Sequence, residues 1–406
     1  MKKKILIVGA GQAACSLAGK YRQQDSEAAI TIVGEERYLP YQRPPLSKKY
    51  VTGEMSVESL FLRPEAWYQK NDISLLSGHR VVRIDRKSKQ VELDDGRVLD
   101  YDKLALTTGT RPRALPSEMG GELKGVYVVR GIDDANAFAA EIASGRRALV
   151  IGGGYIGLEA AAVLRNKGLQ VRVVEMADRI LQRVACAETS NYFRQLHHEN
   201  GVQIDEGLGV KRLVGDNGSV VGAEFSDGSA MEVDFVIVGV GVVANDDLAR
   251  DAGLNVDQGI LVNSFGQTND EDIYAAGDCT RFEYLGQMVR LESVQNAVDQ
   301  AESTASNMAG FETPYTPYPW FWSDQFNVKL QIAGLNQSYT DTVTRIGAKP
   351  GSLSVWYFAN ERLVSVDAMN DPRTFMTAKK MFSSNQLASI EQIRDPDFDP
   401  RSVLGA

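Results

Sequence analysis

The chain is poor in cysteine: Cys15, Cys186 and Cys279 are the three thiols in 406 residues, and none lies within four residues of another. That spacing excludes C-x-x-C metal or dithiol chemistry and fits a reducing compartment. No metal site is expected. Long apolar runs are missing too, and nothing approaches the roughly 18 consecutive apolar residues of a membrane-spanning helix. The opening MKKKILIVGAG has the basic start of a secretory signal. Its apolar run, however, stops at Val8, and no small-residue cleavage site follows. The expectation is a cytoplasmic protein. Positive charge is also in deficit: a net charge of −9 lacks the basic face with which a general nucleic-acid binder displaces counterions. An apolar content of 43% and a charged content of 24% are those of a globular chain, with room for two or three domains.

What is present begins with glycine. ILIVGAGQAA, Ile5 to Ala14, is an apolar run ending in Gly9, Gly11 and Ala14 at G-x-G-x-x-A spacing. LVIGGGYIGLE, Leu149 to Glu159, repeats it with Gly152, Gly154 and Gly157 around Tyr155 and Ile156. A buried parallel strand reads as such a run, and the glycines allow a sharp turn into a helix. The free N–H groups and the dipole at that helix start suit a pyrophosphate. Each motif has a carboxylate about 20 residues on, where a ribose hydroxyl needs it. After the helix LAGKYRQQ and the strand ITIV come Glu35 and Glu36. After LEAAAVLRNKG, the strand VRVVE ends at Glu175.

The intervening chain also repeats. The hairpin QVELDDGRVLD turns at Asp95-Gly96 and leads to the strand Leu104 to Thr107, closing on Thr108-Gly109-Thr110. AEFSDGSAMEVDFVIVGVGVVAN copies it, turning at Asp227-Gly228 and closing on Gly239-x-Gly241. Gly9 to Gly152 is 143 positions, Glu35 to Glu175 is 140, and hairpin to hairpin is 132. A whole dinucleotide-binding unit is therefore present twice. In GEERYLPYQRPPLSKKY, prolines 40, 44 and 45 stiffen a loop that carries Arg43 and Lys48 beside the first ribose acid, placed to face a cofactor. The strand IYAAG delivers Asp278, ahead of a helix that includes LESVQNAVDQ, where it could accept from a sugar-alcohol hydroxyl or cap the helix. Beyond Pro314, the aromatic WFWSDQF, the alternating VKLQIAG, LSVWYFAN and RLVSVDAMN and a helix near PRTFMTAKKMFSS predict a separate α+β domain. The fold class expected is α/β with two Rossmann-like domains. Residues 1–111 and 236–313 would form a discontinuous first domain, 112–235 the second and 314–406 the C-terminal one.

LPYQRPPLSK, ALTTGTRPR, VIGGGYIGLE, IYAAGDC, RLESVQNA and PWFWSDQ together resemble the FAD-dependent, NADH-oxidising ferredoxin reductases. These are the putidaredoxin reductase and biphenyl dioxygenase reductase type within the glutathione-reductase-like superfamily. The resemblance implies FAD in the first domain, with Gly9, Gly11, Ala13 and Ala14 at its pyrophosphate and Glu35 at its ribose. It implies Arg43 and Lys48 along the FAD, Val81 at the adenine end, and the Thr108-Gly109 turn and Arg130 near the cofactor. Asp278 would meet the ribityl chain, Val294 the pyrimidine edge, and Trp322, with Trp320, would wall the ring. NADH would occupy Gly152, Gly154, Tyr155, Ile156, Gly157 and Gly241. There Glu175 would repel the 2′-phosphate of NADPH, although Arg172 and Arg179 lie nearby in sequence. Lys48 and Glu159 would pair beside the flavin as the catalytic residues.

The activity implied is hydride transfer from NADH to FAD, followed by single electrons to a [2Fe–2S] ferredoxin serving a haem monooxygenase or ring-hydroxylating dioxygenase, in a monomeric enzyme. Arg281, Arg290, Lys379 and Lys380 are candidates for a basic docking face. The chain departs from the family at Ala244, where proline is usual, which predicts a looser loop after Gly241. It also lacks the redox cysteine pair of the disulfide reductases, so electrons would leave directly from the flavin. Two rivals stand beside this reading: an NADH oxidase or quinone-type reductase with a small-molecule acceptor, and a non-enzymatic flavoprotein whose NADH binding switches a partner surface.

Overall fold

The computed structural model describes residues 2–143 and 145–405. The chain divides into two compact units, each gathered from three segments. The first takes the chain up to Arg43, then Val57–Arg111 and Val242–Pro317. The second takes Pro44–Ser56, Pro112–Gly241 and everything from Tyr318 on.

In the first unit the apolar run forms the strand Lys4–Val8, the centre of a five-stranded parallel sheet. Ala29–Gly34 and then Ile73–Ser77 lie on one side, Lys103–Leu106 and then Ile273–Ala275 on the other. The helix Gln12–Gln24 packs against Val294–Met308 through small residues, Ala14 and Ala18 meeting Ala297, Ala301 and Ala305 in one core. Leu17 and Tyr21 belong to the same core with no exposure, and burial of the Leu17 side chain contributes about 1.5–3 kcal/mol.

The second unit repeats the plan. Arg147–Ile151 is central, flanked by Gln170–Glu175 and Gln203–Glu206 on one side and by Phe235–Val238 and Val126–Tyr127 on the other, all parallel. Each hairpin read in the sequence belongs to a three-stranded antiparallel sheet: Val81–Asp85, Gln90–Leu93 and Val98–Asp100 in the first unit, Val210–Asp216, Ser219–Phe225 and Ala230–Glu232 in the second.

The last part of the second unit is an antiparallel sheet in the order Trp320–Gln325, Val328–Gly334, Arg362–Met369, Leu353–Ala359 and Asp341–Ile346. Phe375, Ala378 and Met381 of the helix Pro372–Ser384 close its core over Trp356, Phe358 and Val366. The α/β architecture with a C-terminal α+β element is therefore as expected.

Two local expectations change. Asp278 does not run into a helix: the hairpin Thr280–Tyr284 and Gln287–Val289 intervenes, and Ser293 caps the helix that follows. The segment after Gly241 is not loose, because Asn245 clasps the Thr108–Gly109 turn. Its N–H donates to the Gly109 carbonyl and its side-chain amide to the Thr108 carbonyl, while the Thr108 hydroxyl donates to the Asn245 carbonyl at 2.6 Å.

Candidate functional site

Both glycine motifs sit at the carboxyl end of a central strand, where strand order reverses and α/β sheets bind ligands. Their geometry is nearly the same. Gly9 has φ +103°, and a Cβ there would stand 2.3 Å from the Thr107 carbonyl oxygen; Gly152 has φ +106°, with the Gly239 carbonyl at 2.5 Å. Neither position accepts a side chain. At Gly11 and Gly154, by contrast, an added Cβ meets no atom of the described residues within 4 Å. The helices that follow, Gln12–Gln24 and Tyr155–Asn166, start without a side-chain cap on their free N–H groups. Open space beside uncapped amide donors is what a pyrophosphate requires. The third motif position differs: Ala14 is fully buried, whereas a Cβ on Gly157 would lie 2.1 Å from the Gly152 carbonyl oxygen.

The acids follow the strands as expected. Glu35 comes directly after Ala29–Gly34 and is exposed. Glu175 ends its strand, and its carboxylate accepts from the Gly153 N–H at 2.7 Å and the Ala177 N–H at 2.8 Å, one at each oxygen. Each oxygen keeps a lone pair for a ribose hydroxyl. The two nearby arginines are engaged elsewhere. Arg172 pairs with Asp205 at 2.7 Å and lies over the Phe225 ring, and Arg179 donates to Ser190 and to the carbonyls of Ala185 and Cys186. Gly241, at φ +95°, has the exposed guanidinium of Arg183 beside it, a cation that the sequence reading did not select.

The proline loop turns sharply. Pro44–Ser47 make a 3₁₀ turn, closed by the Lys48 N–H on the Pro45 carbonyl, and Arg43 and Lys48 belong to different units. Arg43 pairs with Glu36 at 2.6 Å and donates to the Tyr41 hydroxyl, which donates to the same carboxylate. Burial works against its charge, but Tyr41, Glu36 and Asp278 outweigh it and raise the guanidinium above its ordinary value. Glu36 thus anchors Arg43, leaving Glu35 as the acid free for a ribose. Val81 is buried and pairs with Leu93 across its sheet; Val294, half-buried, opens the helix Val294–Met308. Arg130 precedes the helix Ile132–Ala139, its N–H bonded to Asp134.

In the second unit, Lys48 Nζ lies 2.7 Å from Glu159 Oε2, with the Glu159 side chain only 7% exposed. Tyr155 lays its ring against Phe321 at 4.9 Å, and its buried hydroxyl finds no partner among the described residues. Ile156, the next residue, is exposed. Trp322 is half-buried and stacks with Trp320 at 5.7 Å. Trp320 packs on Phe375 with the Lys379 ammonium 4.4 Å above it. Arg281 is paired with Asp257 and Arg290 with Glu292. Three of the four candidate docking cations thus have partners within their own units.

Cys15, Cys186 and Cys279 are buried and unbridged, and burial raises each thiol above its ordinary value. None is placed to act as a thiolate. Among the described residues no helix is long and apolar enough to cross a membrane.

Two nucleotide sites in duplicated parallel-sheet units define an oxidoreductase that passes electrons between two bound dinucleotides. Residues 3–301 match the family model for pyridine nucleotide-disulphide oxidoreductases, and residues 320–404 match the reductase C-terminal domain. The chain is 43% identical to rhodocoxin reductase of Rhodococcus erythropolis over 98% of this chain and 94% of that one. It is 36% identical to putidaredoxin reductase of Pseudomonas putida over 99% and 97%. The solved covalent complex of putidaredoxin reductase with putidaredoxin superposes with a TM-score of 0.95 at 36% identity, covering 99% of this chain and 98% of that one. The chain belongs to the pyridine nucleotide-disulphide oxidoreductase family, in its ferredoxin reductase branch, and its cofactors are FAD and NAD(H). The uncapped helix starts, the open glycine positions and the acids after each strand fit both.

Proposed function

We propose that this protein takes hydride from NADH and delivers single electrons to a [2Fe–2S] ferredoxin that serves an oxygenase. FAD, when bound, supplies the conversion from two-electron to one-electron chemistry. The observation that carries the reading is the pair of half-buried Lys48 with buried Glu159, the acid five residues past the open Gly154, in a molecule whose three thiols are buried and unbridged. Putidaredoxin is the partner in the solved relative, which supports an iron–sulfur acceptor.

The roles in this reading are as follows. The first unit would hold FAD through Gly9, Gly11, Ala13 and Ala14, with Glu35 at the ribose and Val81, Thr108, Gly109, Asp278 and Val294 along the rest. The second would hold NADH through Gly152, Gly154, Tyr155, Ile156, Gly157 and Gly241, using the backbone donors of the helix start. Lys48 and Glu159 would be the charged pair at the hydride-transfer step, with Arg43, Arg130 and Trp322 as further cofactor contacts. Glu175 would favour NADH, because a fixed carboxylate repels a 2′-phosphate and neither Arg172 nor Arg179 is free to compensate. Three buried free thiols accord with the cytoplasm.

Anaerobic stopped-flow absorbance tests the reading. Rapid bleaching of the flavin band by NADH, with recovery on adding a [2Fe–2S] ferredoxin, is the expected result. Bleaching that persists until quinone or oxygen arrives would make a small molecule the acceptor, and absence of a flavin band would end the proposal. In the same experiment Glu175→Ala is expected to narrow the preference for NADH over NADPH by about tenfold, the effect of removing one charge repulsion. An unchanged ratio would remove Glu175 from the specificity site.

A further inference from the structure

Behind the Lys48–Glu159 pair runs a buried polar chain. Ser323 and Gln325 occupy alternate positions of the strand Trp320–Gln325, so both side chains leave the same face, on which Phe321 packs against Tyr155. The Ser323 hydroxyl donates to Glu159 Oε1 at 2.8 Å, and Gln325 Nε2 donates to the Ser323 oxygen at 3.2 Å. The Gln325 carbonyl lies 2.9 Å from Nε2 of His197, on the helix Ala187–Glu199. Ser323, Gln325 and His197 have no exposure and Glu159 has 6%.

The chemistry fixes the direction of this chain. A carbonyl oxygen only accepts, so His197 Nε2 carries the hydrogen. The reverse setting of the Gln325 amide would require the single Ser323 hydrogen to serve two acceptors. Every donor therefore points toward the Glu159 carboxylate. Its Oε1 receives the Ser323 hydroxyl and, at 3.3 Å, the Asp324 N–H; its Oε2 receives Lys48 and, at 3.4 Å, the Ser47 hydroxyl. His197 Nδ1 has no partner among the described residues, and Phe326 packs edge-on to the imidazole at 5.0 Å. Burial lowers the imidazole to about 4, which keeps it the neutral, one-hydrogen donor this position requires.

We propose that Ser323 and Gln325 are positioning residues for Glu159, fixing its carboxylate so that Oε2 is presented to Lys48. A buried carboxylate with one oxygen left to rotate would present that charge in several orientations, and hydride transfer depends on one. The proposal rests on the assignment of Lys48 and Glu159 to the hydride-transfer step.

The test is NADH-driven flavin bleaching in the holoenzyme for Ser323→Ala, Ser323→Thr, Gln325→Met, Glu159→Gln and the Ser323→Ala/Glu159→Gln pair. Ser323→Ala is expected to slow the limiting rate about tenfold, the effect of one hydrogen bond to a charged group, with half-saturating NADH unchanged. Ser323→Thr, which keeps the hydroxyl, is expected to recover most of the rate, and Gln325→Met to slow it less than Ser323→Ala. The pair is expected to be no slower than Glu159→Gln alone, since the serine acts only through that carboxylate. Imidazole ¹⁵N spectra give a readout free of turnover, with His197 expected as the Nε2–H tautomer and displaced in Gln325→Met. A normal rate in Ser323→Ala, equal slowing in both backgrounds, or an Nδ1–H tautomer would overturn the proposal. If Glu159→Gln bleaches at the wild-type rate, the assignment of Glu159 falls and the positioning role with it. If Glu159→Gln is slow and Ser323→Ala is not, only the positioning role falls.

Discussion

At the scale of single residues, two buried titrating groups pull stability in opposite directions. Asp367 accepts from the hydroxyls of Tyr357 and Thr189 through one oxygen, while the other has no partner among the described residues. Burial pushes its carboxyl up to about 6, against the two hydroxyls that lower it. The folded state then holds a proton that the unfolded chain releases near pH 4, so this contribution is complete below about 4 and lost as pH rises through 6. His197 is the mirror case: lowered to about 4, it leaves the folded state neutral while the unfolded chain takes a proton near 6.5. Its contribution is present above about 6.5 and lost as pH falls toward 4. Each amounts to about 3 kcal/mol, and over this window they largely cancel. Urea midpoints between pH 4.5 and 6.5 should therefore show Asp367→Asn losing stability on acidification more steeply than the wild type, and His197→Gln less steeply. Parallel slopes for all three proteins would show that neither group titrates where its burial places it.

Among the elements, the glycine turns separate folding from binding. Gly152→Ala forces a side chain into φ +106° and against a carbonyl at 2.5 Å, and should cost at least about 2 kcal/mol, read as a lowered Tm. Gly154→Ala places its Cβ in open space and should change stability by less than about 1 kcal/mol while weakening NADH binding about tenfold or more, measured by titration. Equal losses of Tm would mean that Gly154 is a structural glycine. The strands, the hairpins at Asp95-Gly96 and Asp227-Gly228 and the C-terminal helix were legible because their apolar period and turn chemistry are local. The hairpin after Asp278 was not. Its turn uses Leu285 at φ +50° followed by Gly286 at φ +79°, and leucine gives no sign of a left-handed conformation. Asn245 was equally hidden, since its role is to clasp a turn 137 residues away.

For the whole molecule, the absence of a thiol relay is the property most open to a direct test. All three cysteines are buried with raised thiol pKa values. Treating the native holoenzyme with excess iodoacetamide should leave NADH-to-ferredoxin electron transfer unchanged in a cytochrome-coupled assay. Inactivation in proportion to one modified cysteine would place a thiol on the electron path. The molecule is also assembled from distant segments. Lys48 and Glu159 are 111 residues apart and Ser323 follows 164 residues later, yet all three meet in one unit.

The sequence by itself determined the duplicated dinucleotide unit, its strand-turn-helix geometry, the acid after each strand and the lack of redox cysteines. These depend on near-neighbour spacing, since period-2 and period-3.6 patterns and φ-permissive glycines act within a few residues. Only the tertiary structure decided that Glu36, not Glu35, anchors Arg43, that Arg172 and Arg179 are engaged away from Glu175, and that a serine, a glutamine and a histidine stand behind Glu159. The physical reason is that a buried polar group is defined by the partner that satisfies it, and folding supplies that partner from anywhere in the chain.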